Sequence, residues 1–179
     1  GISSTVLVKA ALESFPDHPR LAVDAGAHMF SACAFWPAFQ PRDLLISNGL
    51  ATMGFALPAG LAAALQDPDR GAIAMTGDGG LMMCLGELKT AVKTQANLTV
   101  IVFNDGRLSL IDIKRQDRQM PDQGLSWTPP DFAAMARGFG LQAWQVERRE
   151  DLSAALQAAA KANGPRLIDV RVDGGGYGD

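Results

Sequence analysis

The chain has 179 residues, 16 Lys+Arg against 19 Asp+Glu for a net charge of −3, 47% apolar and 20% charged residues. That is the length of one large domain, long enough to bury about 70% of its unfolded surface, with an ordinary globular composition. The missing basic excess argues against a nucleic-acid partner, and no apolar run reaches the ~18 residues of a membrane span. No charged n-region precedes an apolar h-region at the N-terminus. Cys33 and Cys84 are isolated thiols and His18 and His28 the only histidines, so neither a disulfide framework nor a zinc site is expected, and a reduced, cytoplasmic compartment is.

In chain order, residues 5–15 follow two serines that can cap a helix. Strands are expected at 21–25 and, more weakly, at 43–47. A helix over 57–66 carries Pro58 in its first turn. Residues 72–76 and 98–103 are continuous apolar runs, as in central strands of a parallel sheet, and a single helix over 81–94 fills the gap between them. Helices over 131–139 and 151–162 start at aspartates and stop at Gly140 and Gly164, with strands at 143–146 and 167–172. This alternation predicts an α/β fold, a doubly wound, mainly parallel sheet with helices on both faces. The whole chain, 1–179, is expected to be one domain, with residues 174–179 a frayed or truncated tail.

Ligands in such folds bind at the carboxyl ends of the strands. The strand at 72–76 runs into Thr76-Gly77-Asp78-Gly79-Gly80, and the strand at 98–103 into Asn104-Asp105-Gly106-Arg107. Only 24 residues separate Gly79 from Asn104, one helix plus one strand, so the two loops should lie side by side. Glycines followed by a helix N-terminus invite an anion, yet Asp78 puts a carboxylate where a phosphate would come. A divalent cation held by Asp78, with Asp105 and Asn104 adding oxygen donors, removes that conflict, and the hard donor set favours Mg2+ or Ca2+ over zinc. Alternatively the glycines are only turns and the aspartates only caps. A dinucleotide loop needs a third glycine where Met82 stands, and no G-K-[ST] supports a Walker loop.

Gly77-Asp78-Gly79, then 24 residues, then Asn104-Asp105 resembles the thiamine diphosphate motif, GDG followed at this distance by N-N or N-D. Residues 47–58 (SNGLATMGFALP) are similar to the cofactor loop G-L-G-x-M-G-x-x-L-P of acetolactate synthase-like enzymes, and Asp24-Ala-Gly-Ala-His28 to their D-x-G-x-H segment. The likeness covers residues 21–172 and is to the C-terminal, diphosphate-binding domain of an acetolactate synthase-like large subunit.

The resemblance implies Asp78 and Asp105 as Mg2+ side-chain ligands, with the Arg107 carbonyl as a third. It implies that Gly77, Gly79 and Gly80 cradle the diphosphate beside Asn104, with Gly26, Ala27 and His28 near the same group. Met53 would wedge between the rings of thiamine diphosphate, and the Ala51 carbonyl would accept from its aminopyrimidine. By residue type alone, Met53 is as readily a gap filler and His28 a structural histidine.

Gly80 stands where many relatives have Ser, and Asp105 where many have Asn. Lys114 falls near the position of a Trp in anabolic acetolactate synthases. Lys114, Arg115 and Arg118 could meet an acidic substrate group, but a solvated helix face is the simpler expectation. The implied reaction is decarboxylation of a 2-oxo acid such as pyruvate, followed by protonation or ligation to an acceptor; carboligase, decarboxylase and oxidase stay open. A glutamate from a separate pyrimidine-binding domain, in the same enzyme or a partner chain, is expected to be needed, so no catalytic residue is assigned here and the chain by itself should turn over little. A homo-oligomer is expected, and FAD dependence would rest with a middle domain. A non-catalytic cofactor-binding module, a subunit of a split enzyme and a dinucleotide-binding domain are the alternatives.

Overall fold

The computed structural model describes residues 1–174 and 177. Six parallel strands, β1 (Arg20–Val23), β2 (Leu44–Ile46), β3 (Ala72–Gly77), β4 (Leu98–Asn104), β5 (Gln142–Val146) and β6 (Arg166–Arg171), form one sheet in the order β2-β1-β3-β4-β6-β5. The helices are α1 (Ser4–Ser14), α2 (Ala27–Phe35), α3 (Ala56–Gln66), α4 (Asp78–Cys84), α5 (Glu87–Thr94), α6 (Ser109–Asp117), α7 (Phe132–Phe139) and α8 (Arg149–Lys161). Every residue of β4 is buried, because helices cover the sheet on both sides and leave no polar face to alternate.

One apolar cluster joins Leu7, Val8 and Ala11 of α1 with Leu152 and Leu156 of α8 against Ile73, Ile101 and Ile168. The other joins Leu57 and Leu61 of α3, Leu88 of α5 and Phe132 of α7 against Ala74, Val100 and Leu167. Odd and even strand positions thus feed opposite layers, as the period of two requires. The doubly wound α/β expectation is met. None of the described helices is long and apolar enough to cross a membrane.

Two features differ from the sequence reading. The single helix expected over 81–94 is two, α4 and α5, parted at Leu85-Gly86, where Leu88 N–H bonds back three residues to the Leu85 carbonyl. A further helix, α2, had no capping or periodic signal, and α6 was expected only as a solvated helix face around Lys114, without bounds: α2 exposes Phe30 and Phe35, and α6 exposes Ile111 and Ile113. Helices whose apolar side chains do not all face their own core show no clean 3.6-residue stripe. The tail expected at 174–179 falls outside the described residues except for Gly174 and Tyr177; the latter packs against the α1/α8 cluster.

The chain leaves β1 toward β2 on one side and then returns to β3 on the other. Between the carboxyl ends of β1 and β3 lies the point where the strand order reverses, the usual crevice of doubly wound sheets.

Candidate functional site

A hollow of about 370 Å3 opens at that crevice. Gly26, Ala27 and His28 border it from the first turn of α2, Ala51 and Met53 from the loop before α3, Gly77 to Gly80 from the β3–α4 turn, and Asp105 and Arg107 from the loop after β4. Eleven of the twelve residues assigned from sequence line it. Asn104 stands apart: it is buried, and its Nδ2 donates to Asp169 Oδ1 at 2.8 Å.

The two aspartates face each other across neighbouring strand ends. Asp78 is 2% exposed, and its Oδ2 accepts from Gly106 N–H at 2.8 Å, tying the β3 loop to the β4 loop. Burial, reinforced by the charge of Asp105, pushes the Asp78 carboxyl up to about 6 against the pull of the Gly79 and Gly106 amides. Burial also raises Asp105, although the Ser109 hydroxyl and the Arg107 amide donate to it. Gly106 makes this turn at φ +69°, and a Cβ there would stand 2.7 Å from the Trp127 carbonyl, so only glycine fits.

This donor set fits a divalent cation. A buried and a half-buried carboxylate held near each other without a counter-charge are costly, and a hard cation would neutralise both. Among the described residues no three His, Cys, Asp or Glu side chains form a metal cluster, so further ligands would have to be main-chain carbonyls, water or the cofactor's own oxygens. The Arg107 side chain turns to Asp112.

His28 is 4% exposed, and its ring stacks on Phe103 with centroids 5.0 Å apart. Burial lowers it to about 4, despite Asp24 and a hydrogen bond to the Met75 main chain, so the ring is neutral near pH 7. Its Nε2 has no partner among the described residues, an unmet polar atom beside the hollow.

Asp24 organises the opposite wall. Its Oδ1 accepts from Phe55 N–H at 2.7 Å and Ala56 N–H at 2.6 Å; its Oδ2 accepts from Gly54 N–H at 3.0 Å and Thr76 Oγ1 at 2.6 Å. One carboxylate therefore caps α3 from another strand end and fixes the loop that carries Ala51 and Met53. In that loop Ala51 holds φ +49°, a left-handed conformation disfavoured for alanine by about 1–2 kcal/mol, braced by its N–H on the Ser47 carbonyl at 2.9 Å. Sequence reasoning placed Asp24 only within a motif and missed this role. The available signal was that Phe55, at the N-cap of α3, offers no side-chain acceptor.

At Gly79 a Cβ would lie 3.1 Å from the Met53 methyl and 3.0 Å from Leu108, so a side chain there would have to push these flexible ends aside by a few tenths of an ångström. Of the three cations at 114–118, Arg115 is bound to Asp112 at 2.7 Å and Arg118 is exposed, as a solvated face would have them. Lys114, though exposed, borders the hollow.

The chain is 36% identical over 171 residues to the acetolactate synthase isozyme 1 large subunit of Escherichia coli (strain K12), covering 93% of this chain and 30% of that one. It is 33% identical over 167 residues to the catabolic acetolactate synthase of Raoultella terrigena, again covering 93% of this chain and 30% of the relative. The chain thus spans under a third of the length of these relatives. The Rhodococcus jostii RHA1 thiamine diphosphate-dependent 4-hydroxybenzoylformate decarboxylase superposes with a TM-score of 0.89 at 24% identity, over 97% of this chain and 33% of that one, a likeness of fold. The family model described as "Thiamine pyrophosphate enzyme, C-terminal TPP binding domain" matches residues 24–170, and the chain belongs to that family.

Proposed function

We propose that this domain holds Mg2+ and the diphosphate of thiamine diphosphate in the hollow between β1 and β3, as part of an acetolactate synthase-like enzyme acting on a 2-oxo acid such as pyruvate. The observation that carries the reading is the closeness of the buried Asp78 and the half-buried Asp105 beside a turn of three glycines. Asp78 and Asp105 would hold the cation, with the Arg107 carbonyl as a further donor. Gly79 and Gly80 would bring main-chain N–H groups to the phosphates, where the first turn of α4 favours negative charge. Met53, fixed through Asp24, would shape the cofactor where its methyl overhangs Gly79. When bound, the cofactor supplies carbanion stabilisation after loss of CO2; the protein binds, orients and excludes water.

A pyrimidine-binding domain, from the same enzyme or a partner chain, is part of this proposal. Phe30, at the hollow, is 57% exposed, and Leu50 and Met83, in the segments that follow the glycine-containing loops, are 87% and 66% exposed, which suits cover by another domain. That domain would bring the acid–base group.

The test is calorimetric titration of thiamine diphosphate into the full-length natural protein with and without Mg2+. Binding should require Mg2+ and vanish in Asp78→Ala. Equal binding by Asp78→Ala would overturn the metal assignment, and binding of NAD in place of thiamine diphosphate would overturn the cofactor.

A further inference from the structure

The opposite end of the sheet holds a second cavity, of about 350 Å3, between the ends of α1 and α8 and the starts of β3, β4 and β6. At roughly 3.3 Å per residue, Thr99 on its floor lies about 16 Å along β4 from Asn104 at the upper end.

Arg166, the first residue of β6, is 6% exposed and lines this cavity. Its Nη1 donates to Asn97 Oδ1 at 2.9 Å and to the Gly164 carbonyl at 2.8 Å, both neutral acceptors, while its Nε has none. Among the described residues no carboxylate pairs with this guanidinium, and its burial pulls the group below the usual arginine range. Thr99, its register partner on β4, is fully buried with an unsatisfied Oγ1 on the same floor. Across the cavity Arg70 is held by Asp43 at 2.8 Å and by the His18 carbonyl at 2.9 Å, which leaves its Nη1 without an acceptor. The exposed Lys161, Asp17 and Asp69 stand at the rim.

A buried cation without a counter-charge costs several kcal/mol unless an anion accompanies it. Three donors without partners belong to residues that line this cavity, and the Nε edge of an arginine suits bidentate contact with a planar or tetrahedral oxyanion. We propose that the cavity is a binding site for a small oxyanion, a carboxylate or a phosphate group, seated between Arg166, Thr99 and Arg70. The site is independent of the reading of the upper hollow. Its ligand would steady the junction of α1, α8 and the sheet and take no part in chemistry at the other end.

The probes are inorganic phosphate and acetate, titrated by calorimetry into the full-length natural protein with excess Mg2+ and thiamine diphosphate present to keep phosphate from the upper hollow. One site per chain is expected for at least one probe; acetate alone would identify a carboxylate ligand, phosphate alone a phosphate ester. Arg166→Gln should weaken that site about tenfold or more, and the probe should raise the melting temperature of the parent but not of the variant. Thr99→Val, which keeps the shape and removes the hydroxyl, gives a second reading if Arg166→Gln does not fold. No saturable site for either probe, or a site that survives both variants, overturns the proposal.

Discussion

The Asp24 carboxylate fills the place where a side chain on Gly80 would begin: a Cβ built on Gly80 would stand 2.1 Å from Asp24 Oδ2 and 2.8 Å from Thr76 Oγ1. Asp24 cannot withdraw freely, because the same oxygen accepts from Gly54 N–H and Thr76. Gly80 is therefore more than a lost hydroxyl relative to the Ser of many relatives. Gly80→Ala should destabilise the domain by about 1–3 kcal/mol, the cost of overpacking, read as a lowered urea midpoint. An unchanged midpoint would show that the Asp24 cluster yields.

Asp24 also joins the start of α3 to the site. Asp24→Ala would strand the N–H groups of Gly54, Phe55 and Ala56, at a cost of about 2–4 kcal/mol. Limited proteolysis should then cut within residues 47–55 faster than in the parent. Asp24→Asn, with one acceptor oxygen, should fall between the two.

Removing the charge at Asp105 should separate folding from metal binding. In Asp105→Asn the repulsion on Asp78 disappears, so the metal-free protein should melt higher at pH 8, while its affinity for Mg2+ should fall. Thermal melts with chelator and with excess Mg2+ check both arms. A lower melting temperature in chelator would mean that Asp105 is held by favourable bonds that outweigh the repulsion.

Acid should act through His28. Its folded value lies near 4, below its ordinary 6.5, so its contribution is intact above pH 6.5 and is lost as pH falls toward 4. At about 1.4 kcal/mol per unit the loss approaches ~3 kcal/mol. Asp78 acts oppositely in the metal-free state: raised to about 6, it favours the fold when protonated, and that contribution is lost as pH rises through 6. Equilibrium unfolding from pH 7 to 4 should therefore fall less steeply in His28→Gln than in the parent. Parallel curves would exclude His28 as the source.

Much of the sheet was legible because its strands are short apolar runs bounded by glycine, proline and polar residues, as at 72–76 and 98–103. Asp78, Asp105 and the glycines were legible because loops one helix plus one strand apart must end side by side in a parallel sheet. The helix α2 was not, and α6 only as a solvated face without bounds, because their exposed Phe30, Phe35, Ile111 and Ile113 break the periodic stripe. Nor could spacing show that Asn104, next to Asp105, turns to Asp169 while Asp105 turns to the hollow: neighbours on a strand point to opposite faces, and which face holds the ligand depends on where the chain crosses over.

The amino-acid sequence by itself determined the α/β class, the two loops that meet and the chemistry of their oxygen donors, all properties of local pattern and spacing. Only the tertiary structure decided that Asp24 caps a helix 32 residues away, that Gly80 is closed by that carboxylate, and that Arg166 is buried without a counter-charge. Those depend on which side chains share a volume, and burial and pairing arise only when distant segments pack together.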